Sequence, residues 1–275
     1  MRTGSTWLHE YLLSRNDVCL PKGVKETFYF GPNYSKGEEW YRSYFRHFDP
    51  IRHRSVIEVC PTLFASSEAI PRVRKVLHAP TLMATLRDPV ERAWSNYMHL
   101  RQHGEIMMGF EAAVRKFPSL AIPGLYAKHL AEWIDEFGRE KVHVVLYDDL
   151  KERQPEFVLK VNEVFGLPHV PLKTLPSKDT NAGRLPYNPL LAKIIHRAKS
   201  KLHDHGLHWV VNAGKRVGLS RVIRGRVGHG PTRARMTPDI HSYLVEQFSP
   251  DVEKLEKLLN IDLEPWRRNW ARLRE

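Results

Sequence analysis

Residues 2–8, Arg-Thr-Gly-Ser-Thr-Trp-Leu, combine side chains and backbone that are suited to binding an anion. Gly4 lets backbone N–H groups approach a bound anion closely, Ser5 and Thr6 add hydroxyl donors, and Arg2 adds a fixed positive charge. The helix predicted to follow directly points its positive end at the same place. The alternative is that Ser5 or Thr6 caps an amphipathic helix, since short Gly-Ser-Thr strings are common.

A second candidate anion site lies roughly eighty residues further along the chain. Arg87 follows an apolar run, and Ser95 comes eight residues later, two turns into a helix that Asp88-Pro89 is predicted to begin. Both side chains can therefore point at one anion. The alternative is a surface arginine and a solvated serine on a capped helix.

The elements that must position these residues alternate between strand and helix patterns. Buried strands are predicted over residues 55–58, 81–86 and 142–147, the last closed by an acidic turn at Asp148-Asp149. Helices are predicted directly after the first loop and over residues 66–78, 88–103, 124–137, 155–165 and 238–259. This alternation predicts βαβ units, and hence an α/β fold with a largely parallel sheet flanked by helices.

Positive charge is the most distinctive feature of the composition. The 275 residues carry a formal net charge of +12. Most of the excess lies in residues 191–235, where eleven lysines and arginines face one acid, Asp204. Such a surface suits nucleotide phosphates, an acidic glycan, nucleic acid or an anionic membrane. The segment has few aromatic residues, mainly Trp209, and no nucleic-acid reader motif, so specific nucleic-acid binding is not expected.

The remaining composition is that of an ordinary globular protein with a sizeable core, because 42% of the residues are hydrophobic. No apolar run reaches the ~20 residues that span a bilayer, and no signal-peptide pattern is present. Cys19 and Cys60 are interpreted as small buried residues in a reducing compartment. Cytoplasmic residence is the default expectation. Peripheral membrane contact stays open, and so does Golgi-type anchoring through a segment preceding this sequence.

Six sequence blocks together resemble one enzyme family. RTGSTWL is similar to the 5′-phosphosulfate loop of sulfotransferases that use 3′-phosphoadenosine 5′-phosphosulfate (PAPS), and LRDPVERAWSNY is similar to the 3′-phosphate motif of that family. The supporting blocks are VKETFYF (24–30), EVCPTLF (58–64), GLYAKHLAEW (124–133) and VVLYDDL (144–150). The resemblance covers residues 1–167 and is closest to the carbohydrate branch, which includes heparan sulfate sulfotransferases and their bacterial relatives.

The resemblance implies a role for each residue of the two anion motifs. Arg2, with Thr3, Gly4, Ser5 and Thr6, would hold the 5′-phosphosulfate, and Arg2 would also stabilise the leaving group. Arg87 and Ser95 would bind the 3′-phosphate. Other donor-side candidates are Trp7, as an adenine-stacking or a core residue, and Arg233 and Arg235, in a basic loop or on a solvated face. No metal is implied.

On the acceptor side, the resemblance implies that Glu26 is the general base and that Lys25 binds phosphosulfate or acceptor. A carboxylate is ionised at neutral pH and can take the acceptor proton late in transfer. Glu58 belongs to an E-x-x-P turn near the acceptor cleft or is a buried capping group, and Tyr126 contacts the acceptor or packs in a helix face. Histidine is the rival type of base, but neither His99 nor His103 matches a family position.

The family pattern also sets expectations about architecture. It implies one P-loop-like domain over residues 1–275, with a cofactor-binding core at 1–170 and a basic, mostly helical acceptor-side region at 171–275. The strand that precedes the phosphate loop in the family is missing from this sequence, and Arg2 stands where most members have lysine. The other functions considered are a P-loop kinase, which would need a GK[ST] ending and a magnesium ligand, and a non-enzymatic polyanion-binding protein. The acceptor is expected to be a small molecule or a glycan; the oligomeric state is not predicted.

Overall fold

The computed structural model describes residues 2–169 and 236–272. Within them lie four strands, β1 to β4: Val18–Cys19, Ser55–Val56, Leu82–Leu86 and Val142–Leu146. The described α-helices, numbered α1 to α10 in chain order, are Ser5–Leu13, Glu38–Ser43, Ala69–Val76, Pro89–Gln102, Phe110–Lys116, Tyr126–Phe137, Tyr147–Glu152, Gln154–Phe165, Pro238–Leu259 and Glu264–Arg272. Strands therefore alternate with helices, as the sequence predicts.

The described strands form two parallel pairs. β1 pairs with β2, and β3 pairs with β4 in a register that runs from Leu82 opposite Val142 to Leu86 opposite Leu146. No ladder joins the two pairs within the described part of the chain. A cavity of about 780 Å³ is lined by residues 55–61 on the β2 side and residues 81–85 on the β3 side. Thr3 and Ser5 of the phosphate loop also line it.

Two apolar clusters hold the helices against these strands. The larger cluster joins α3, α4, α5 and α6 to α9 and α10, with Leu244, Phe248 and Leu255 of α9 fully buried. The smaller cluster packs α1 against β1 and α8, around Leu12 and Phe157. The first cluster fixes the helix that carries Ser95, and the second fixes the helix that follows the phosphate loop.

The beginning of α4 is fixed from two directions. Asp88 accepts hydrogen bonds from the N–H groups of Val90 (2.9 Å) and Glu91 (3.3 Å), so it caps the helix as predicted. Trp270 and Asn269 of α10 each donate a further bond of 3.0 Å to the same carboxylate. The last described helix therefore holds the junction between β3 and α4, where Arg87 lies.

The predicted acidic turn after the third predicted strand is wrong. Asp148 and Asp149 lie in helix α7 rather than in a turn. Asp149 is buried and is bonded by Arg153 (2.5 Å) and Lys160 (2.7 Å), while Asp148 accepts a bond of 2.8 Å from Trp266. Pairing with these partners, and acidic residues at the positive end of a helix, favour helix over turn.

Helix α6 is capped by a residue from a distant part of the chain. Asp251 of α9 accepts the N–H groups of Ala127 (2.9 Å) and Lys128 (3.2 Å) in the first turn of α6, which has no cap of its own. Because Asp251 is buried, replacing it with alanine leaves two donors unpaired, and we expect the free energy of unfolding to fall by about 2 kcal/mol. Denaturant unfolding of Asp251→Ala measures this.

The matched control is Glu253→Ala, an exposed acid on the same helix, which should change stability by less than about 0.5 kcal/mol. Equal effects of the two substitutions would contradict the capping role.

Candidate active site

The phosphate loop presents the N-terminus of α1. Gly4 has φ 86°, a left-handed conformation that side chains disfavour, and a Cβ there would lie 2.6 Å from Leu150. The first backbone bond of the helix is donated by Leu8 to the Gly4 carbonyl, at 3.0 Å. The N–H groups of Ser5, Thr6 and Trp7 therefore precede the helical ladder, where an anion can accept them.

The two predicted anion motifs meet in space. The Arg2 guanidinium donates from Nε to the Ser95 hydroxyl at 3.1 Å, and Arg87 Nη1 lies 3.5 Å from the Arg2 carbonyl oxygen. Arg87 also pairs with Glu91 at 2.7 Å and lies over the Tyr147 ring. Arg2 lies more than eighty residues before Arg87 and Ser95 in the sequence, yet the three form one cluster that we call the arginine cluster.

The arginine cluster concentrates positive charge. Partial burial lowers the pKa of Arg2, and the nearby positive charge of Arg87 lowers it further. Among the residues that the structure describes, no carboxylate lies within 4 Å of Arg2. Arg87 is paired with Glu91, so Arg2 is the member of the cluster whose charge a bound phosphate or sulfate group would balance.

Lys25 links the phosphate loop to the predicted base. Its ammonium group donates to the Ser5 hydroxyl at 3.0 Å and lies 3.3 Å from Glu26 Oε1. Lysine Nζ is a compact point charge with three donors, so it can bridge both groups. An anion held at the N-terminus of α1 would therefore lie beside the Glu26 carboxylate.

Two further residues face Glu26 and were missed from the sequence. Its second oxygen, Oε2, lies 3.4 Å from the Thr62 hydroxyl and 3.7 Å from the Cys60 sulfur, both of which can donate. Burial, followed by the charges of Glu58 and Glu26, raises the pKa of Cys60, so this thiol stays protonated. Both residues lie in the EVCPTLF block, whose predicted functional residue was Glu58, so only their position in that block could have signalled them.

Glu58 supports the loop that carries Glu26. Its Oε1 accepts the Thr27 backbone N–H at 2.6 Å and the Thr27 hydroxyl at 2.8 Å. These bonds favour the capping alternative over contact with the acceptor. Thr27 itself is buried. Desolvation raises the pKa of Glu58, although the bonds from Thr27 oppose that shift.

The raised pKa of Glu58 predicts a pH-dependent stability. Between the unfolded-state pKa and the higher folded-state pKa, the folded protein binds more protons, so its stability falls as the pH rises through this window. Replacing Glu58 with glutamine removes that titration. We therefore expect the stability of the wild type relative to Glu58→Gln to increase as the pH falls from 7 to 5, in denaturant titrations at each pH. A difference that does not change with pH would contradict this.

Two predicted site residues are buried in the core, which was the alternative interpretation of each. Trp7 is 3% exposed, stacks on Tyr11 with ring centroids 5.7 Å apart and meets Phe157 edge-on, which favours the core alternative over adenine stacking. Tyr126 is 1% exposed and donates its hydroxyl to the Arg87 carbonyl at 2.7 Å. This bond holds the end of β3, which favours the packing alternative for Tyr126. Both rings are buried because the helices that carry them pack on other helices.

The other predicted positions divide between described and undescribed parts of the chain. Thr3 is buried and Thr6 half-buried in the phosphate loop. Arg233 and Arg235, like all of the basic segment 191–235, lie outside the described residues. His9 was not identified as a candidate from the sequence, and it lies one turn after Ser5. Burial lowers the pKa of His9, and the positive charge of Lys25 lowers it further, so the imidazole is neutral at pH 7.

The described residues form neither a metal-binding cluster nor a membrane-spanning helix. No group of three or more histidine, cysteine or acidic side chains there could hold a metal ion. No described helix is long and apolar enough to cross a membrane.

Comparison with known proteins supports the resemblance of the sequence blocks. Residues 1–178 match the sulfotransferase domain family. The bifunctional heparan sulfate N-deacetylase/N-sulfotransferase 1 of Caenorhabditis elegans is 26% identical over 190 residues, which is 63% of this chain and 22% of that protein. The membrane-associated sulfotransferase kil1 of Dictyostelium discoideum is 33% identical over 98 residues, 35% of this chain and 21% of that protein. This chain spans about a fifth of the length of these relatives.

A solved structure shows the same fold. The crystal structure of a sulfotransferase from Alicyclobacillus acidocaldarius matches with a TM-score of 0.67 at 20% identity, covering 97% of this chain and 95% of that one. This likeness confirms the predicted α/β fold. Since the family match extends over more than half of the 275 residues, the chain belongs to the sulfotransferase family.

Proposed function

We propose that this protein transfers the sulfuryl group of PAPS to a hydroxyl or amine of a carbohydrate acceptor. The observation that carries this proposal is the position of Lys25 between Ser5 of the phosphate loop and Glu26. Through Lys25, the Glu26 carboxylate lies near the N-terminus of α1, where the sequence predicts anion binding. Membership of the sulfotransferase family supports the same reaction.

In this proposal the acceptor attacks sulfur in line with the bond that breaks. The acceptor oxygen or nitrogen forms a new bond to sulfur, while the bond from sulfur to the bridging phosphate oxygen breaks. The acceptor proton passes to Glu26, and adenosine 3′,5′-bisphosphate leaves with the electron pair of the broken bond. Lys25, Arg2 and the N-terminus of α1 stabilise the negative charge that develops on the sulfuryl and bridging oxygens.

The arginine cluster would recognise the phosphates of the donor. Arg87 follows the carboxyl end of β3, where ligands bind in parallel sheets, and the Tyr126 hydroxyl and the Tyr147 ring hold it in place. Arg87 and Ser95 would bind the 3′-phosphate, with Arg2 between them and the 5′ end. Arg2 contacts Ser95, so one cationic surface would serve both ends of the donor.

Arg87→Ala tests the 3′-phosphate site. Loss of a charge-assisted contact should weaken the binding of adenosine 3′,5′-bisphosphate by at least about 1.5 kcal/mol, roughly tenfold, and change AMP binding much less. Calorimetric titration of both nucleotides measures this. The exposed Arg46→Ala is the matched control and should bind like the wild type. Equal losses for both nucleotides in Arg87→Ala would contradict the assignment to the 3′-phosphate.

The carbohydrate acceptor is supported by the relatives rather than by the site alone. Several are named for heparan sulfate N-sulfotransfer, which supports an amine on an acidic glycan as the acceptor. The charge of +12 suits such a polyanion. A P-loop kinase is not favoured, because the phosphate loop lacks the GK[ST] ending.

A transfer assay tests the proposal. The protein is incubated with PAPS and either N-deacetylated heparosan, which offers amines and hydroxyls, or fully N-acetylated heparosan, which offers hydroxyls. Release of adenosine 3′,5′-bisphosphate and the glycan mass are measured. A sulfated product from either glycan supports the proposal, and the pair identifies the nucleophile. If the protein binds the nucleotide and sulfates 4-nitrophenol but neither glycan, the proposal of a carbohydrate acceptor is contradicted.

A further inference from the structure

Phe28 has an unusual backbone and an exposed ring. Its φ angle is 54°, in the left-handed region that bulky side chains rarely adopt. Its side chain is 41% exposed, although Thr27, Tyr29 and Phe30 on either side are at most 3% exposed. An aromatic residue that occupies a strained conformation and faces solvent gains little from folding, so the surrounding structure must impose this position.

The neighbouring residues do impose it. Glu58 accepts the Thr27 backbone N–H, and the Asn33 side chain donates to the Thr27 carbonyl at 2.8 Å. The Phe28 carbonyl accepts the N–H groups of Gly31 and Asn33, both at 3.2 Å. Tyr29 stacks on Tyr41 with ring centroids 4.7 Å apart. With both neighbours anchored inward, the backbone reverses at Phe28 and its ring turns outward.

Packing does not account for the identity of this residue. Glycine or asparagine would adopt φ 54° with less strain, and a polar side chain would suit the exposure better. Strained conformations that the surroundings over-determine cluster at functional sites. The nearby functional site is the candidate active site at Glu26, two residues earlier. Successive Cα atoms are 3.80 Å apart, so the Cα atoms of Glu26 and Phe28 are at most about 7.6 Å apart.

We propose that Phe28 is an acceptor-binding residue whose ring supports the C–H face of the sugar unit that receives the sulfuryl group. This inference rests on the proposed function and identifies how the acceptor is oriented. The face of an aromatic ring is negatively polarised and attracts the weakly positive C–H groups on one face of a pyranose. The hydroxyl and amine groups project from the edge of the sugar, so stacking on Phe28 directs that edge toward Glu26.

Three substitutions separate ring contact from a structural role. Phe28→Gly removes the ring and relieves the backbone strain, Phe28→Leu keeps apolar bulk without a ring, and Phe28→Tyr keeps the ring. The matched control is Phe48→Leu, at another aromatic residue that is 43% exposed. The readouts are KM for N-deacetylated heparosan, KM for PAPS and the midpoint of thermal unfolding.

We expect Phe28→Gly and Phe28→Leu to raise KM for the glycan about fivefold, the size of a lost aromatic contact. KM for PAPS should stay within twofold of the wild-type value, roughly. Phe28→Gly should unfold near the wild-type temperature, because relief of the backbone strain offsets the greater freedom of glycine in the unfolded chain. Phe28→Tyr should keep the wild-type KM for the glycan, and so should Phe48→Leu.

Two results would overturn this inference. The first is an unchanged glycan KM in Phe28→Gly and Phe28→Leu while the wild type sulfates the glycan; this contradicts the role of Phe28 and leaves the proposed function intact. The second is a Phe28→Gly variant that unfolds at a lower temperature with equal rises in both KM values, which indicates a structural role. A wild type that sulfates only 4-nitrophenol contradicts the proposed function and the sugar contact together.

Discussion

Replacing Glu26 with glutamine should lower kcat by about 10²-fold or more and leave the affinity for adenosine 3′,5′-bisphosphate unchanged. Glutamine has nearly the same shape as glutamate, and its amide oxygen can still accept from Lys25. It cannot, however, take a proton from the acceptor. The expected loss therefore isolates proton transfer from positioning. Steady-state kinetics with PAPS and N-deacetylated heparosan, together with calorimetry for the nucleotide, measure both quantities.

The control for this substitution is Glu39→Gln, at an exposed carboxylate whose side chain is 94% exposed. It should have the wild-type kcat. If Glu26→Gln keeps most of its activity, Glu26 is not the base, and the neutral His9 near Lys25 becomes the next residue to replace.

Arg2→Ala should lower kcat by about 10² to 10³-fold, which is the usual effect of removing one donor that stabilises developing charge. Arg2 is the side chain of the phosphate loop with a fixed charge, and its contact with Ser95 places it within the arginine cluster. Its loss should be felt more in the transition state than in ground-state binding, because charge on the bridging oxygen grows as the bond to sulfur breaks. Single-turnover kinetics with saturating PAPS measure the transfer step directly.

Arg2→Lys is the informative companion of that variant. A lysine retains the charge without the planar donor fork. We expect it to recover a large part of the lost activity. Arg46→Ala, which removes an exposed guanidinium, controls for the change in net charge. Full activity in Arg2→Ala would show that Lys25 and the helix N-terminus suffice for charge stabilisation.

The features predicted best from sequence are those that depend on a few neighbouring residues. Asp88-Pro89 specifies where α4 begins, and the observed helix Pro89–Gln102 follows that prediction closely. Gly4 before Ser5-Thr6 indicates the loop that runs into α1, and the observed helix begins at Ser5. The resemblance assigned candidate site residues to these segments, and the structure brings Arg2, Arg87 and Ser95 together.

The features that sequence did not reveal depend on packing between distant segments. The patterns around Trp7 and Tyr126 suit either a binding site or a core, and only the helices packed on them show that both rings are buried. The same holds for Thr62 and Cys60, which reach Glu26 across more than thirty residues of sequence. The left-handed backbone of Phe28 carries no local signal, since it results from anchors on both sides.

Calorimetric titration of the folded protein with adenosine 3′,5′-bisphosphate, with AMP and ATP as controls, tests the central claim most directly. The account predicts binding at micromolar concentration that requires the 3′-phosphate, because Arg87 and Ser95 lie beside the phosphate loop. Absence of binding by protein whose folding is demonstrated by cooperative unfolding, or equal affinity for AMP, would contradict the proposal that this site holds PAPS.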